Sequence, residues 1–297
     1  MMETPVVFRS GNDDLFGIVR SPTSGASARG VVILPGGRYG VSAGRNRVAV
    51  RLSERLATAG YHVLRFDYHG IGDSSGTVGE LRLDRPFVED LDAAAECLGS
   101  FGVERLVLVG DCFGARIALA GVDRVPGVHA LVLVSLPLRD YARGESSAVR
   151  MAERESIVQY TRKGLRADVW RSLRNPTRRR TYGMLIRTKT RQMMRSVASG
   201  GTPDPWLSGR VIDQFDRVSR AGIPALVLYG TDEDDFADFE RARRGALGPA
   251  LARSPRIEVE TVPGHVHAFR SVAVQKQFLD IATRWVRRND AEQLGAS

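Results

Sequence analysis

Six consecutive residues at positions 110–115, Gly-Asp-Cys-Phe-Gly-Ala, form the strongest chemical pattern in the chain. They follow the apolar run RLVLVG and precede a helical pattern, which predicts a sharp strand-to-helix turn centred on Cys112. Turns of the form G-x-S-x-G hold a nucleophile in a strained conformation, with glycine where a side chain would clash, and cysteine here replaces the serine. A helix N-terminus carries partial positive charge, so we expect it to favour the Cys112 thiolate.

The alternative interpretation of this turn is a structural cysteine buried between glycines. The chain has one further cysteine, Cys97, which lies in an amphipathic helical pattern and is expected to be a core thiol. Two cysteines are too few for a disulfide framework, and no spacing of Cys and His predicts a zinc site.

A cysteine nucleophile needs a base, and the chain has five histidines from which to choose. His62 opens one predicted strand and His129 precedes another, so both are expected to pack or to face solvent. His265 and His267 lie in the sequence VPGHVHAF, directly after the last predicted strand. A loop at that edge of a sheet can place an imidazole over the turn at Cys112, so one of these two is predicted to be the base.

Four consecutive carboxylates follow the apolar run IPALVLYG and supply candidates for the acid that orients the base. They are Asp232, Glu233, Asp234 and Asp235. One buried carboxylate facing the histidine would fix its tautomer and stabilise the imidazolium. The others are expected in solvent or as caps of the next helix. The residue types alone leave this choice open.

The elements that must position these residues are short β-branched and leucine-rich runs that alternate with helical patterns. This alternation predicts an α/β fold with a mostly parallel central sheet flanked by helices. The predicted core strands lie at 30–35, 61–68, 105–110, 128–136, 223–230 and 256–262, after an antiparallel hairpin around Gly11-Asn12. Helical patterns lie at 47–59, 85–98, 115–122, 235–247 and 272–287. Pro86 favours a helix start at Asp84 or Arg85.

The alternation stops at a strand-free, helical and arginine-rich segment. We therefore predict a core of 1–137 and 214–297, with a helical cap inserted at 138–213 on the sheet edge where α/β proteins bind ligands. The net charge of +9 arises here, because 139–195 holds 16 basic and 5 acidic residues against 27 and 29 elsewhere. The alternative is a solvated helical face with no role in chemistry.

The remaining composition excludes several classes of protein. Apolar residues make up 43% of the chain, which excludes wholesale disorder. No apolar run approaches the length of a membrane span and no signal-peptide pattern is present, so a cytoplasmic protein without a membrane partner is expected. Nucleic-acid binding is not expected, because the arginine-rich stretch has no recognisable module and few aromatics beyond Trp170 and Tyr182. No cofactor or metal is predicted.

Three motifs together resemble the α/β-hydrolase superfamily over essentially the whole chain. They are the turn at Cys112, the histidine loop, and the segment FDYHGIGDSSG at 66–76. The last is similar to the family pattern D-x-R-G-x-G-x-S, with His69 where arginine is usual. A weaker resemblance over 45–76 connects the chain to small hydrolases encoded beside exosortase and biosynthetic gene clusters.

The resemblance implies a choice among the site residues. The family spacing G-x-x-H-x-F fits Gly264, His267 and Phe269, so His267 is preferred to His265 as the base. The acid is assigned to Asp234, ahead of Glu233 and then Asp232.

The resemblance also implies an oxyanion hole formed by two backbone N–H groups. One belongs to Phe113, and the other to the loop after the third strand, where it is assigned to Gly37 with Gly36 and Arg38 as alternatives. The competing interpretation is an ordinary glycine-rich turn, and the absence of a following G-K-[ST] excludes a phosphate loop.

Together these features predict a cysteine-dependent acyltransferase or thioesterase, active in specialised metabolism, that forms an acyl-enzyme at Cys112. Its expected substrate is a small-molecule acyl group on an anionic carrier, either an acyl carrier protein or coenzyme A, which the basic cap would attract. Two alternatives remain: an ester or lactone hydrolase similar to dienelactone hydrolase, and a non-catalytic scaffold that binds a ligand. The acyl group, the acceptor and the oligomeric state are left open.

Overall fold

The structure is a computed structural model that describes residues 2–23, 27–37, 41–79, 81–140 and 207–295. The chain divides into two compact units, one formed by Met1–Leu138 with Gly209–Ser297 and the other by Arg139–Ser208. Nearly all of the second unit, including the predicted cap helices and their arginines, lies outside the described residues. Within the second unit, Ser208 Oγ donates a hydrogen bond to Asp140 Oδ2 at 2.7 Å.

An eight-stranded sheet forms the centre of the first unit, in the spatial order β1-β2-β4-β3-β5-β6-β7-β8. Its strands are β1 (Glu3–Ser10), β2 (Asp13–Arg20), β3 (Arg29–Leu34), β4 (His62–Phe66), β5 (Arg105–Asp111), β6 (Val128–Val134), β7 (Ala225–Gly230) and β8 (Ile257–Val262). The pairs β1–β2 and β2–β4 are antiparallel, and all the others are parallel. The predicted mostly parallel α/β fold and its leading hairpin are confirmed.

The sequence patterns of the strands follow from how many of their faces are covered. Every residue of β4 and of β7 is buried, because parallel strands inside such a sheet are covered by helices on both faces. The edge strand β1 instead alternates between exposed and half-buried residues along most of its length. Continuous apolar runs in the sequence therefore identify the interior strands of the sheet, whose carboxyl ends carry the loops of the candidate site.

Seven helices are described around the sheet. They are α1 (Val48–Thr58), α2 (Val88–Gly99), α3 (Phe113–Gly121), α4 (Gly209–Arg220), α5 (Asp234–Arg243), α6 (Gly248–Arg253) and α7 (Val272–Gly295). On one face, Leu52 and Leu56 of α1 and Phe278 and Trp285 of α7 join the strands in a single apolar cluster. Helices α2 and α3 contact each other and the sheet. In the described ranges, no helix combines the length and apolar character needed to cross a bilayer.

Some element boundaries differ from the sequence-based expectation. The predicted helix start at Asp84 or Arg85 is wrong, since α2 begins at Val88. Asp84, which would have capped an earlier start, is instead paired with Arg82 at 2.7 Å. The pattern at 235–247 forms α5 and then a turn that leads into α6. The predicted core–cap boundary at 213/214 falls inside α4, whose first residue opens the second segment of the first unit.

Candidate active site

Cys112 occupies a strained turn between the end of β5 and the start of α3. Its backbone has φ 50° and ψ −107°, a conformation that is costly for a residue with a side chain. A Cβ at Gly110 would stand 2.3 Å from the Gly114 carbonyl oxygen, and a Cβ at Gly114 would stand 2.1 Å from that of Leu34. Both flanking residues must therefore be glycine, which is the reason for the G-x-C-x-G spacing.

The surroundings of the Cys112 thiol oppose the effect expected of the helix N-terminus. Burial raises the pKa of the thiol well above its usual value, and the carboxylates of Asp111, Asp235 and Glu233 raise it further. The backbone N–H of Phe113 acts in the opposite direction and is outweighed. A thiol whose pKa is raised acts as a nucleophile only if a base removes its proton, as for the hydroxyl of a serine enzyme.

The loops after β7 and β8 are joined into one assembly. The backbone N–H of Asp232 donates to the Gly264 carbonyl at 3.1 Å, and the Gly264 N–H donates to Thr231 Oγ1 at 3.1 Å. A Cβ at Gly230 would stand 2.2 Å from the Gly264 carbonyl oxygen, so the two loops touch through backbone. This contact places the predicted acid loop against the predicted histidine loop.

Glu233 is the carboxylate that the structure turns inward. Its side chain is buried, and its Oε2 accepts a hydrogen bond from Ser135 Oγ at 2.8 Å. Its Oε1 accepts a hydrogen bond from the backbone N–H of His267. Asp232 and Asp234 are both exposed, and Asp234 lies in the first turn of α5. Of the three candidate acids, Glu233 is therefore the one that bonds to the histidine loop from a buried position.

His267 begins a short 3₁₀ turn that is anchored on both sides. Val266 and Phe269 are buried, and the Phe269 carbonyl accepts hydrogen bonds from Asn46 Nδ2 at 3.0 Å and Gln275 Nε2 at 2.7 Å. Between these anchors the His267 side chain is exposed, and within the described part of the chain its imidazole makes no hydrogen bond. The backbone of this turn therefore positions the imidazole, whose ring nitrogens have no hydrogen-bond partner among the described residues. His265 is also exposed, and its Cα lies against Gly230.

The two predicted oxyanion-hole residues lie close together. Gly37 has φ +69°, and a Cβ built on it would stand 4.0 Å from Phe113 Cβ. Phe113 is the first residue of α3, so its N–H points out of the helix end rather than into an intrahelical hydrogen bond. Tyr68 Oη donates to the Pro35 carbonyl at 3.0 Å and fixes the strand end that leads to Gly37. The alternative donor Arg38 lies outside the described residues.

A cavity of about 450 Å³ opens beside this site, between the ends of β3 and β5 and the helices α1 and α7. Most of its wall is apolar, and its polar groups include Ser42, Arg45, Asp111 and His267. Asp111 was not singled out from the sequence, although its position directly before the predicted nucleophile was a signal. Within the described ranges, no group of three or more His, Cys, Asp or Glu side chains is arranged to hold a metal ion.

The motif at 66–76 holds the loops around the site through Asp67. This buried carboxylate accepts the Ser42 N–H at 2.5 Å and the Asp73 N–H at 3.0 Å. A Cβ at Gly72 would stand 2.1 Å from Asp67 Oδ2, so the glycine is required by close approach. His69, which stands where the family pattern has arginine, bonds instead to Asp90, with Nδ1 2.8 Å from Oδ2.

The sheet, the strained turn after β5 and the joined loops after β7 and β8 define an enzyme of the α/β-hydrolase fold. More narrowly, the chain belongs to the family described as Serine aminopeptidase, S33, which matches residues 26–189. That match includes the turn at Cys112, where this chain has cysteine.

Solved structures with this fold cover almost the whole chain. An esterase of Pyrococcus furiosus has a TM-score of 0.60 at 16% identity, covering 97% of this chain and 91% of its own. Proline iminopeptidase of Mycobacterium smegmatis has a TM-score of 0.57 at 17% identity, covering 99% and 100%. The ferulic-acid complex of Est1E from Butyrivibrio proteoclasticus has a TM-score of 0.58 at 15% identity, covering 98% and 99%. These identities show a shared fold.

Among curated proteins, the chain is similar to an acyl transferase of Aliivibrio fischeri strain MJ11 and to one of Aliivibrio fischeri. Each is 36% identical over 75 residues, which is 25% of this chain and 24% of the relative. The chain therefore matches about a quarter of the length of these relatives.

Proposed function

We propose that this enzyme is a cysteine-dependent acyltransferase or thioesterase that takes an acyl group from a thioester on an acyl carrier protein or coenzyme A. The observation that carries the proposal is the strained backbone of Cys112, at φ 50°, between two glycines that close approach requires. A cysteine that merely fills a core has no need of such a conformation. The partial likeness to acyl transferases supports transfer chemistry.

The proposed reaction uses Cys112 as nucleophile and His267 as base. His267 takes the thiol proton as the sulfur attacks the acyl carbonyl carbon, and the N–H groups of Phe113 and Gly37 stabilise the oxyanion. The carbon–sulfur bond of the substrate thioester then breaks, and His267 returns the proton to the leaving thiol. An alcohol, an amine or water next attacks the enzyme thioester, with His267 as base, and releases Cys112. Glu233 holds the His267 loop and stabilises the imidazolium.

The decisive experiment is rapid-quench intact mass spectrometry with an acyl-coenzyme A thioester. Wild type and Cys97→Ala should gain the mass of one acyl group, while Cys112→Ala should gain none. Cys97 is a matched control, because it is also a half-buried free cysteine and burial raises its pKa to about 11. Equal labelling of wild type and Cys112→Ala would exclude an acyl-enzyme at Cys112.

An ester or lactone hydrolase is the second candidate. The raised pKa of the Cys112 thiol favours it, since a group that needs a base at every step resembles the serine of a hydrolase. Product analysis with added alcohols and amines distinguishes the two: new esters or amides indicate a transferase, and free acid under all acceptors indicates a hydrolase. A scaffold without catalysis predicts neither labelling nor turnover on thioesters and esters.

A further inference from the structure

Asp111 is a half-buried residue whose carboxyl group the proposed reaction does not use. It ends β5, directly before Cys112, and its Oδ1 is buried with no hydrogen-bond partner among the described residues. A Cβ at Gly36 would stand 2.7 Å from Asp111 Oδ2 and 3.2 Å from its carbonyl oxygen. The glycine at position 36 therefore leaves the space that this carboxyl group occupies. A buried polar oxygen without a partner is costly, so its retention calls for an explanation.

The side chain whose charge acts most strongly on Asp111 is His267. Both side chains line the same 450 Å³ cavity, whose remaining polar groups include Ser42 and Arg45. Burial raises the pKa of Asp111 to about 6, with His267 lowering it and Glu233 raising it. The charges of His267 and Asp111 therefore interact, although no hydrogen bond joins them in this structure.

The hydrogen bonds of Glu233 indicate why a second carboxylate is useful. One of its oxygens accepts the Ser135 hydroxyl and the other accepts the backbone N–H of His267. Glu233 thus holds the loop that carries His267. Asp111 has an oxygen with no such hydrogen bond, and Asp111 lines the same cavity as His267.

We propose that Asp111 is a positioning residue for His267, whose carboxylate stabilises the imidazolium that forms when His267 takes the proton of Cys112. The inference rests on the proposed function for the proton transfer, but the pairing of the two groups does not depend on turnover. The charged and titratable groups around the pair are Glu233 from the loop after β7, Asp235 from α5, Arg45 from the segment before α1, Tyr68 after β4, and the thiol of Cys112. After the transfer, the carboxylates of Asp111 and Glu233 both stabilise the imidazolium.

The first test is the titration of Asp111, which needs no substrate. Protein with ¹³C-labelled aspartate is titrated by NMR, and the Asp111 carboxyl signal is identified by its absence from Asp111→Asn. Wild type should titrate near pH 6. His267→Gln should move the midpoint to higher pH, because it removes the positive charge, and Glu233→Gln should move it to lower pH. A midpoint that does not change in His267→Gln would overturn the pairing.

The second test is the pH profile of kcat/KM for acyl transfer. Asp111→Asn should lower kcat/KM at pH 7.5 by about 10- to 100-fold and remove the ionisation near pH 6 from the acid limb. Asp280→Asn, which neutralises an exposed carboxylate of α7, is the matched control and should leave the profile unchanged. If Asp111→Asn does not fold, Asp111→Ala removes the same charge and serves in its place. An acid limb identical to wild type in a folded variant would contradict the proposal.

The two tests fail separately from the proposed function. If Cys112 is never acylated but Asp111 still responds to His267→Gln, the acyl-transfer proposal fails and the pairing stands. If acylation occurs but the Asp111 titration ignores His267, the pairing fails and the function stands.

Discussion

Two histidine–carboxylate clusters lie at the carboxyl end of the sheet, and they differ in how far their hydrogen bonds are satisfied. After β4, Asp90 accepts the Ser10 hydroxyl at 2.7 Å and the backbone N–H of His69 at 3.0 Å, and lies 2.8 Å from His69 Nδ1. In the second cluster, formed by Glu233 after β7 and His267 after β8, the imidazole has no hydrogen bond among the described residues. Serine, aspartate and histidine thus occur together in the first cluster without forming a reactive site.

The difference teaches that chemical composition alone does not mark a site in this molecule. In the first cluster the serine hydroxyl bonds to the carboxylate rather than to the imidazole, so the histidine cannot act as its base. The first cluster links β1, the segment after β4 and α2, which is a structural role. In the second cluster the carboxylate of Glu233 accepts a hydrogen bond from the backbone N–H of His267, and the imidazole lines a cavity beside the turn at Cys112. Two features distinguish the second cluster: the imidazole of His267 has no hydrogen bond among the described residues, and the backbone of nearby Cys112 is strained.

The largest effect should come from Glu233, which tests whether the second cluster is the reactive one. Glu233→Gln should lower kcat/KM for a thioester by about 10²- to 10⁴-fold, because the amide no longer stabilises the imidazolium of His267. Asp234→Asn is the matched control, since it removes one carboxylate from the adjacent exposed position, and it should change kcat/KM by less than about threefold. Equal losses in the two variants would return Asp234 to consideration as the acid.

The first cluster should instead respond in stability. Asp90→Asn should lower the free energy of unfolding by about 2–3 kcal/mol, because it weakens three hydrogen bonds to a buried carboxylate. Its kcat/KM per folded molecule should remain within about twofold of wild type. Urea unfolding followed by circular dichroism measures the first quantity.

Asp92→Asn on the same helix provides the comparison for Asp90→Asn. Its carboxylate pairs with Arg124 at 2.8 Å on the surface, where such pairs contribute about 0–1 kcal/mol. A loss of activity in Asp90→Asn without a loss of stability would show that the first cluster also serves the reaction.

The pH dependence of stability separates the clusters further. The hydrogen bond to Asp90 raises the pKa of His69 above its ordinary value, opposed by burial and aided by Asp13 and Glu89. The stabilisation by this pair is therefore fully present below about pH 6.5 and is lost as the pH rises through the folded-state pKa. We expect the Tm of wild type to fall more between pH 6 and 8 than that of His69→Gln. Parallel curves would show that the pair contributes nothing that depends on protonation.

How much of the site could be predicted depends on what fixes each residue. The turn at Cys112 was predictable, because close backbone approach at Gly110 and Gly114 permits no other residue and so leaves a mark in the sequence. The choice among the four consecutive carboxylates was not, because they differ only in which one the turn after β7 directs inward. Glu233 faces inward through contacts with Ser135 and His267, which are distant in sequence.

The charge state of the thiol shows a second limit. The helix N-terminus was visible in the sequence, and its partial charge favours a thiolate. Burial and the carboxylates of Asp111, Asp235 and Glu233 instead raise the pKa of the thiol, and the proximity of these groups depends on how the loops around Cys112 meet. The surroundings of Asp111 could not be predicted for the same reason, since they depend on the close approach of Gly36 from the loop after β3.

The smallest expected effect concerns the arginine-rich segment, whose role in binding an anionic carrier is a proposal from charge alone. Reversal of Arg178, Arg179 and Arg180 to glutamate should raise KM for an acyl-coenzyme A thioester by about 3- to 10-fold at low salt, and the difference should shrink as salt is added. Small neutral esters should be unaffected, because they carry no charge for the segment to attract.

Reversal of Lys276, Arg284 and Arg287 is the matched control. It also changes three cations, and these three are exposed on α7. If both triple variants raise KM alike, the net charge of the protein rather than this segment attracts the carrier. If the first variant raises KM for neutral esters as much as for the thioester, its effect is on the fold of the segment and the carrier proposal fails. Only a loss confined to the anionic substrate, and to the first variant, assigns carrier recognition to these arginines.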